Sequence, residues 1–488
     1  MNSYFTSARI ILFLICLSTF PLNAQTKKYP ADIEEKIRLV ENGLEGWVQT
    51  GTNDTWNLAD RMKKYNINGV SIAVIHNYKI EWVRGYGFAD VSENRPVTET
   101  TLFQAASISK SLNGVGVLKL VQEKKLDLNT DINKYLVSWK FPYDSISHSK
   151  KLTIANLLSH TGGLTIHGFP GYAKGEVLPT LSQILDGQKP ANTEAVRSSN
   201  EPGKSVNYSG GGVTISQLIV MDVTHQPYDI FMQKNVLDPL GMTSSSYTQP
   251  PPESKKELLA TGYKADGKEV AGKYHIYPEQ AAAGLWTCPV DLCNYIIETQ
   301  LSYQGKSSKV LTPEMTKLRL TPILEDAALG TFVNSRVTGS LKYFNHNGGN
   351  EGFQCTAIGC RDNGEGVVIM TNSDNGSLIY EEIVNSVATV YKWKDYYLPE
   401  IKKVVDVDSS LLDKYAGKYI LNGKTAIFKK NGDVLSVNVL GDLFWKVYFT
   451  SDSDFLIREF RGFLRFQTDK DKRVTGFTFN GMTAKKTD

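Results

Sequence analysis

The stretch Phe103-Gln104-Ala105-Ala106-Ser107-Ile108-Ser109-Lys110-Ser111-Leu112 decides how the rest of the chain is read. Small residues lead into a Ser-x-x-Lys pair, and an apolar run follows: Val115, Val117, Leu118, Leu120 and Val121, with Lys119, Glu123, Lys124 and Lys125 on a polar side. This periodicity predicts a helix that ends at Leu126-Asp127-Leu128. A spacing of three sets Ser107 and Lys110 on one helical face, a turn apart. A hydroxyl beside an amine is a nucleophile beside its proton acceptor once burial or a positive neighbour lowers the amine's pKa. The pattern recurs at Ser147-His148-Ser149-Lys150. That copy sits in a polar stretch with no apolar periodicity and reads as a solvated loop.

Toward the N-terminus, residues 31–44 form an amphipathic helical pattern and residues 58–65 continue a helical layer. Residues 70–75 alternate, turn at His76-Asn77-Tyr78 and return over residues 80–87 as a β-hairpin. Helices and a hairpin ahead of the Ser107 helix predict an antiparallel sheet flanked by helices, not repeated β-α units.

Toward the C-terminus, residues 152–159 are a short capped helix that stops before Gly162-Gly163. His160, at its end, reads as a structural donor to backbone before it reads as catalytic. Tyr208 precedes Gly210-Gly211-Gly212, either a flexible loop or a backbone that must bend or be closely approached, and helical periodicity resumes at residues 213–220. Pro289 sits just inside a helix start at Cys288. His346-Asn347-Gly348-Gly349 precedes strands at 354–359 and 366–371, separated by Asp362-Asn363-Gly364. A His-x-Gly-Gly at a strand edge offers an imidazole and a backbone N–H to one ligand, or is a glycine-rich turn with a solvated histidine.

After Tyr397-Leu398-Pro399 the composition changes. Residues 401–410 read as a charged connector, and seven short strands follow, the signature of a small antiparallel barrel or sandwich. The chain thus divides into a first domain over residues 30–398 and an all-β accessory domain over residues 408–488, read as a packing or lid module.

At 488 residues, 41% hydrophobic and 22% charged, the composition is that of an ordinary globular protein. A net charge of +3 is too small to argue for nucleic acid. Arg9 precedes the apolar run Ile10 to Leu17, which fades at Pro21-Leu22 before Ala24. Residues 1–24 therefore read as a secretory signal peptide, too short for a membrane span. Ile15 before Cys16 argues against a lipid anchor. The mature protein is expected to be exported, periplasmic or secreted, with no stable membrane span. Cys288, Cys293, Cys355 and Cys360 remain, as two disulfides in any of three pairings or as small buried apolar residues. No spacing suggests a zinc site and no cofactor is expected. His-Glu-x-x-His and Gly-x-Ser-x-Gly are both missing, which leaves the metalloprotease and α/β-hydrolase readings without a motif.

Several stretches, in order, are similar to one family: Thr101-Leu102-Phe103 before Ser107; Lys125-Leu126-Asp127-Leu128; Leu157-Leu158-Ser159-His160-Thr161-Gly162-Gly163-Leu164; Pro202-Gly203 before Tyr208-Ser209; and His346-x-Gly348. Over about residues 68–392 the chain resembles the serine β-lactamase and penicillin-binding family, in the class C branch with its D-aminopeptidase, D-alanyl carboxypeptidase and esterase relatives. The resemblance implies an α+β fold, an antiparallel sheet flanked by helices plus an all-helical lobe. It implies that Ser107 is acylated and that Lys110 and Tyr208 share proton transfer, with Tyr208 as base. The N–H groups of Ser107 and Gly349 would form the oxyanion hole, and Gly210, Asn347 and Gly348 would border the substrate. His346 replaces a common lysine and would orient a substrate carboxylate or polarise Tyr208. Gly210 replaces the asparagine of the frequent Tyr-x-Asn. Both departures point away from efficient β-lactam hydrolysis and toward a small amide or ester, a D-amino-acid peptide or a carboxylic ester. The alternatives are a β-lactamase, or a penicillin- or peptidoglycan-binding protein without turnover. Oligomeric state is not legible.

Overall fold

The structure is a computed structural model that describes residues 28–51, 55–334, 341–439 and 443–487. The expected signal peptide lies outside the described residues. Among those described, no helix is long and apolar enough to cross a membrane.

The first domain is built on seven antiparallel strands: β1 Gly69–His76, β2 Lys79–Asp90, β3 Arg95–Pro96, β4 Phe332–Asn334, β5 Tyr343–Asn350, β6 Phe353–Cys360 and β7 Gly366–Thr371. Their spatial order is β3-β2-β1-β7-β6-β5-β4. The predicted hairpin is β1-β2. Asn77 and Tyr78 both adopt positive φ, +52° and +60°, as a tight two-residue turn between twisted strands requires. β1 is buried on both faces, and its residues sort by parity. Val70, Ile72 and Val74 join one core with the helices Ala31–Asn42, Leu58–Lys64 and Gly376–Val390, while Ala73 and Ile75 join the other. Each buried valine or isoleucine among them contributes roughly 1.5–3 kcal/mol.

More than half of the second core comes from residues 102–329, inserted between β3 and β4, whose regular elements are nearly all helices. This lobe holds the Ser107 helix (Ser109–Gln122), the helix after Tyr208 (Gly210–Thr224) and Pro289–Tyr303, which lies across the sheet. The three glycines after Tyr208 are the first turn of a helix, not a loop. Ser209 caps them by accepting from Gly212 N–H at 2.9 Å, and the close-approach reading holds. A Cβ on Gly211 would stand 2.7 Å from Val196.

Among its described residues the accessory domain has nine strands, not seven: β8 Gly417–Leu421, β9 Lys424–Asn431, β10 Val434–Asn438, β11 Trp445–Lys446, β12 Tyr448–Phe449, β13 Asp454–Leu456, β14 Leu464–Thr468, β15 Val474–Phe479 and β16 Met482–Lys486. Val447 splits one expected strand into two, and the polar terminal strand carries too few apolar residues to be read. The order β11-β10-β9-β8-β16-β15-β14-β13-β12 has as its two edges the strands joined by that one residue, so the sheet curls into a nearly closed barrel. Among the described residues, Cys288, Cys293, Cys355 and Cys360 are all free and buried, so the apolar reading replaces the disulfide one.

Candidate active site

The chain enters the site along Phe103–Gln104, which pairs with Trp286–Thr287. It then turns sharply. Ala106 takes φ +47°, an uncommon conformation for a residue with a Cβ, directly before Ser107. The first helical turn is bolted down from two sides: Leu285 N–H donates to Ser109 Oγ at 3.0 Å, and Tyr247 OH donates to Ser109 O at 2.7 Å. One turn on, Lys110 Nζ donates to Ser107 Oγ at 2.9 Å and to Ala282 O at 2.7 Å. Lys110 is 3% exposed. Burial alone pushes its ammonium pKa down to about 7. The second Ser-x-x-Lys has no such setting, since Lys150 is exposed and paired with Glu201 at 2.5 Å.

Tyr208 lies over this pair, its ring centroid 5.1 Å from Lys110 Nζ and its hydroxyl beside Ser107. Burial pushes the phenol up, more than the Ser107 contact pulls it down. Four aromatic neighbours brace the ring: His160 at 4.3 Å, His167 at 4.8 Å, His346 at 6.1 Å and Phe332 at 6.4 Å between centroids. His160 corrects its expected role. Its Nδ1 accepts from Ser209 N–H at 3.2 Å, and its carbonyl accepts from Asn207 N–H at 2.7 Å. It anchors backbone as an acceptor, and burial with the nearby Lys110 charge holds its pKa well below the usual imidazole range.

The third wall is β5. Arg361 N–H donates to Lys342 O across the β5-β6 ladder, which sets the parity: Phe344, His346, Gly348 and Asn350 face β6 with their amides, while Asn347 and Gly349 turn theirs to the other side. That side is open here, because β4 pairs only as far as Asn345. Gly348 makes the approach possible, since a Cβ there would stand 2.3 Å from Ala105 O. The Gly349 N–H thus emerges beside the turn whose first-turn amide, Ser107 N–H, has no intrahelical acceptor. Asn350, which sequence reading missed, locks this arrangement by donating to Gln104 Oε1 at 2.8 Å and Ala283 O at 3.1 Å.

His346 is 5% exposed, and its Nδ1 lies 2.6 Å from Asn347 O. A carbonyl only accepts, so Nδ1 carries the proton and Nε2 is left as a buried lone pair without a partner. Burial and the Lys110 charge push its pKa down to about 3. A neutral imidazole with an unpartnered Nε2 lone pair offers a carboxylate no positive charge, which argues against the expected carboxylate-orienting role. Asn347 is exposed, with its Oδ1 taking the Thr356 hydroxyl at 2.7 Å. Gly210 is buried, donates to His167 O at 3.0 Å, and faces Phe169, where a Cβ would meet the ring at 3.0 Å. An asparagine has no room there, and Gly210 presents no polar group to a ligand.

The beta-lactamase family profile matches residues 57–383. Protein flp of Staphylococcus aureus (strain N315) is 30% identical over 223 residues, which cover 44% of this chain and 43% of that protein, so the match spans less than half the length of that relative. Penicillin-binding protein 4* of Bacillus subtilis is 22% identical over 431 residues, covering 84% of this chain and 92% of that protein. Among solved structures, the octameric penicillin-binding protein homologue from Pyrococcus abyssi superposes with a TM-score of 0.59 at 20% identity, over 88% of this chain and 98% of that one. That likeness extends the shared fold through the barrel. With Ser107, Lys110, Tyr208 and His346 gathered inside the matched segment, the chain belongs to the beta-lactamase family.

Proposed function

We propose that the chain is an exported serine hydrolase that cleaves small carboxylic esters or D-amino-acid amides through an acyl-enzyme on Ser107. The observation that carries this reading is the 2.9 Å bond from a buried lysine, its pKa near 7, to the Ser107 hydroxyl. Export is supported by the leader pattern over residues 1–24.

The two basic groups divide the proton work by their pKa values. Near neutral pH a good fraction of Lys110 is a free amine, while Tyr208 stays a phenol. Lys110 is therefore the base that takes the Ser107 proton, reversing the expected assignment of that role to Tyr208. Ser107 Oγ bonds to the carbonyl carbon, and the carbonyl electron pair moves onto oxygen, held by the N–H groups of Ser107 and Gly349. When the tetrahedral adduct collapses, the bond to the leaving group breaks. Tyr208 OH protonates that group and is refilled from the Lys110 ammonium. Water then repeats the sequence on the acyl-enzyme, and Ser107 recovers its proton.

Substrate choice follows from the lining. His160 and His346 are neutral, and the Lys110 charge is committed to catalysis, so none of the described side chains placed around Ser107 offers a β-lactam carboxylate a fixed cation. The His346 Nε2 lone pair favours a substrate that brings an N–H or ammonium donor, as a D-aminoacyl group does.

The test is intact mass and peptide mapping after exposure to a fluorophosphonate, a short-chain ester and a penicillin. A stable phosphonyl adduct on Ser107 with rapid ester turnover is expected, and only slow penicillin acylation. Hydrolysis that survives Ser107→Ala sinks the assignment. A long-lived penicillin adduct without ester turnover would favour the binding-protein reading.

A further inference from the structure

The accessory barrel is filled over most of its length. Phe466 stacks on Tyr415 at 3.8 Å and on Phe455 at 4.5 Å, with Tyr419, Phe428 and Phe477 packed around them. At one end the filling stops. There a cavity of about 560 Å³ opens between barrel and first domain, within the range of small-molecule pockets. The barrel contributes Trp445, Leu464, Phe477 and Phe479, and the first domain contributes Trp47 and Leu378. This lining is mostly apolar and aromatic and includes none of the residues placed around Ser107.

Its charged groups are unequal. Glu459 is neutralised by Arg61 at 3.2 Å and Lys64 at 2.9 Å, and Glu381 is itself partnered. Arg461 has no carboxylate within ion-pair distance among the described residues; it lies 4.1 Å from the Trp47 ring centroid and donates to Leu398 O at 3.4 Å. Exposed at the cavity lining, its guanidinium retains donors for an anion. Ser377, in the first turn of the helix Gly376–Val390, adds the positive end of that helix to the same lining.

We propose that this cavity binds a single-chain amphiphile with an anionic head, the class represented by a medium-chain carboxylate. The tail lies against Trp47, Trp445 and the barrel phenylalanines, and the carboxylate sits on Arg461. The accessory barrel is then a ligand-binding module, not only packing.

The test is calorimetric and tryptophan-fluorescence titration of the full mature chain with dodecanoate, dodecanol and dodecylammonium. One saturable dodecanoate site is expected, about tenfold tighter than dodecanol, with dodecylammonium weakest. Arg461→Ala should reduce dodecanoate to the affinity of the alcohol. Leu378→Trp should fill the cavity and abolish binding while the rate of Ser107 phosphonylation is unchanged. No saturable dodecanoate binding, or an ammonium head that binds as tightly as the carboxylate, overturns the proposal. So does undiminished binding in a folded Leu378→Trp protein. Should that variant fail to fold, the comparison of three head groups on the native chain and on Arg461→Ala still decides.

Discussion

At the scale of single residues, the site is governed by burial acting in opposite directions on two groups. It pushes the Lys110 ammonium down and the Tyr208 phenol up. The Ser107 acylation rate is therefore expected to rise with pH through an apparent pKa near 7 and to level off above it, measured by stopped-flow release from a chromogenic ester. The same shift has a stability sign. A lysine whose folded pKa lies below its unfolded value binds fewer protons folded than unfolded, so stability rises with pH between about 7 and 10.5, and the penalty is largest and constant below that window. Lys110→Met removes that penalty. At pH 6.5 it should abolish acylation yet stabilise the fold by on the order of 1–4 kcal/mol in urea denaturation, as replacement of buried charge often does. The Ser-x-x-Lys pair was legible in the sequence, as was a tyrosine that precedes glycines. Which of the two is the base was not, because a pKa depends on desolvation by segments far away in the chain, those of Ala282 and Tyr208 among them.

At the scale of elements, the site depends on how closely one strand passes one turn. Gly348 lies against Ala105, where any Cβ meets backbone oxygen at 2.3 Å, whereas a Cβ on Gly349 meets only the flexible Gln354 amide at 3.0 Å. Gly348→Ala is thus expected to destabilise by about 2 kcal/mol or more and to slow acylation, since β5 must shift away from Ser107. Gly349→Ala keeps its N–H and should stay within about 1 kcal/mol of the native stability. Chemical denaturation and the phosphonylation rate check both, and equal effects of the two changes would contradict the packing argument. Local pattern gave β1-β2 and the Ser107 helix because period and turn chemistry agree there. It missed the helical start at Gly210, since glycine in a helix costs about 1 kcal/mol against alanine. That cost is accepted here because Val196 and Phe169 press on the glycines and Ser209 caps them.

At the scale of the whole molecule, the barrel is joined to the first domain through a buried charge cluster. Arg61, 4% exposed, donates to Glu382 Oε2 at 2.8 Å and reaches Glu459 of the barrel at 3.2 Å, with its guanidinium 3.9 Å from the Trp56 ring centroid. Arg61→Met would leave two carboxylates buried beside Lys64 alone. It should destabilise by about 3–5 kcal/mol, read as an earlier and less cooperative thermal transition in calorimetry. A variant as stable as the native chain would mean that the apolar contacts hold the barrel by themselves. Nothing in the sequence pairs residue 61 with residue 459, because such a contact has no period and no local partner. The sequence by itself determined the secondary elements with a clear period, the two-part composition, and the nucleophile with its neighbouring amine, since each is written within a turn or a hairpin of chain. Only the tertiary structure decided that Lys110 is desolvated, that His346 is neutral with an open lone pair, that Gly349 turns its N–H to a free sheet edge, and that the barrel keeps a cavity at its mouth. Each of these depends on what distant segments exclude or leave open, and that is a property of packing.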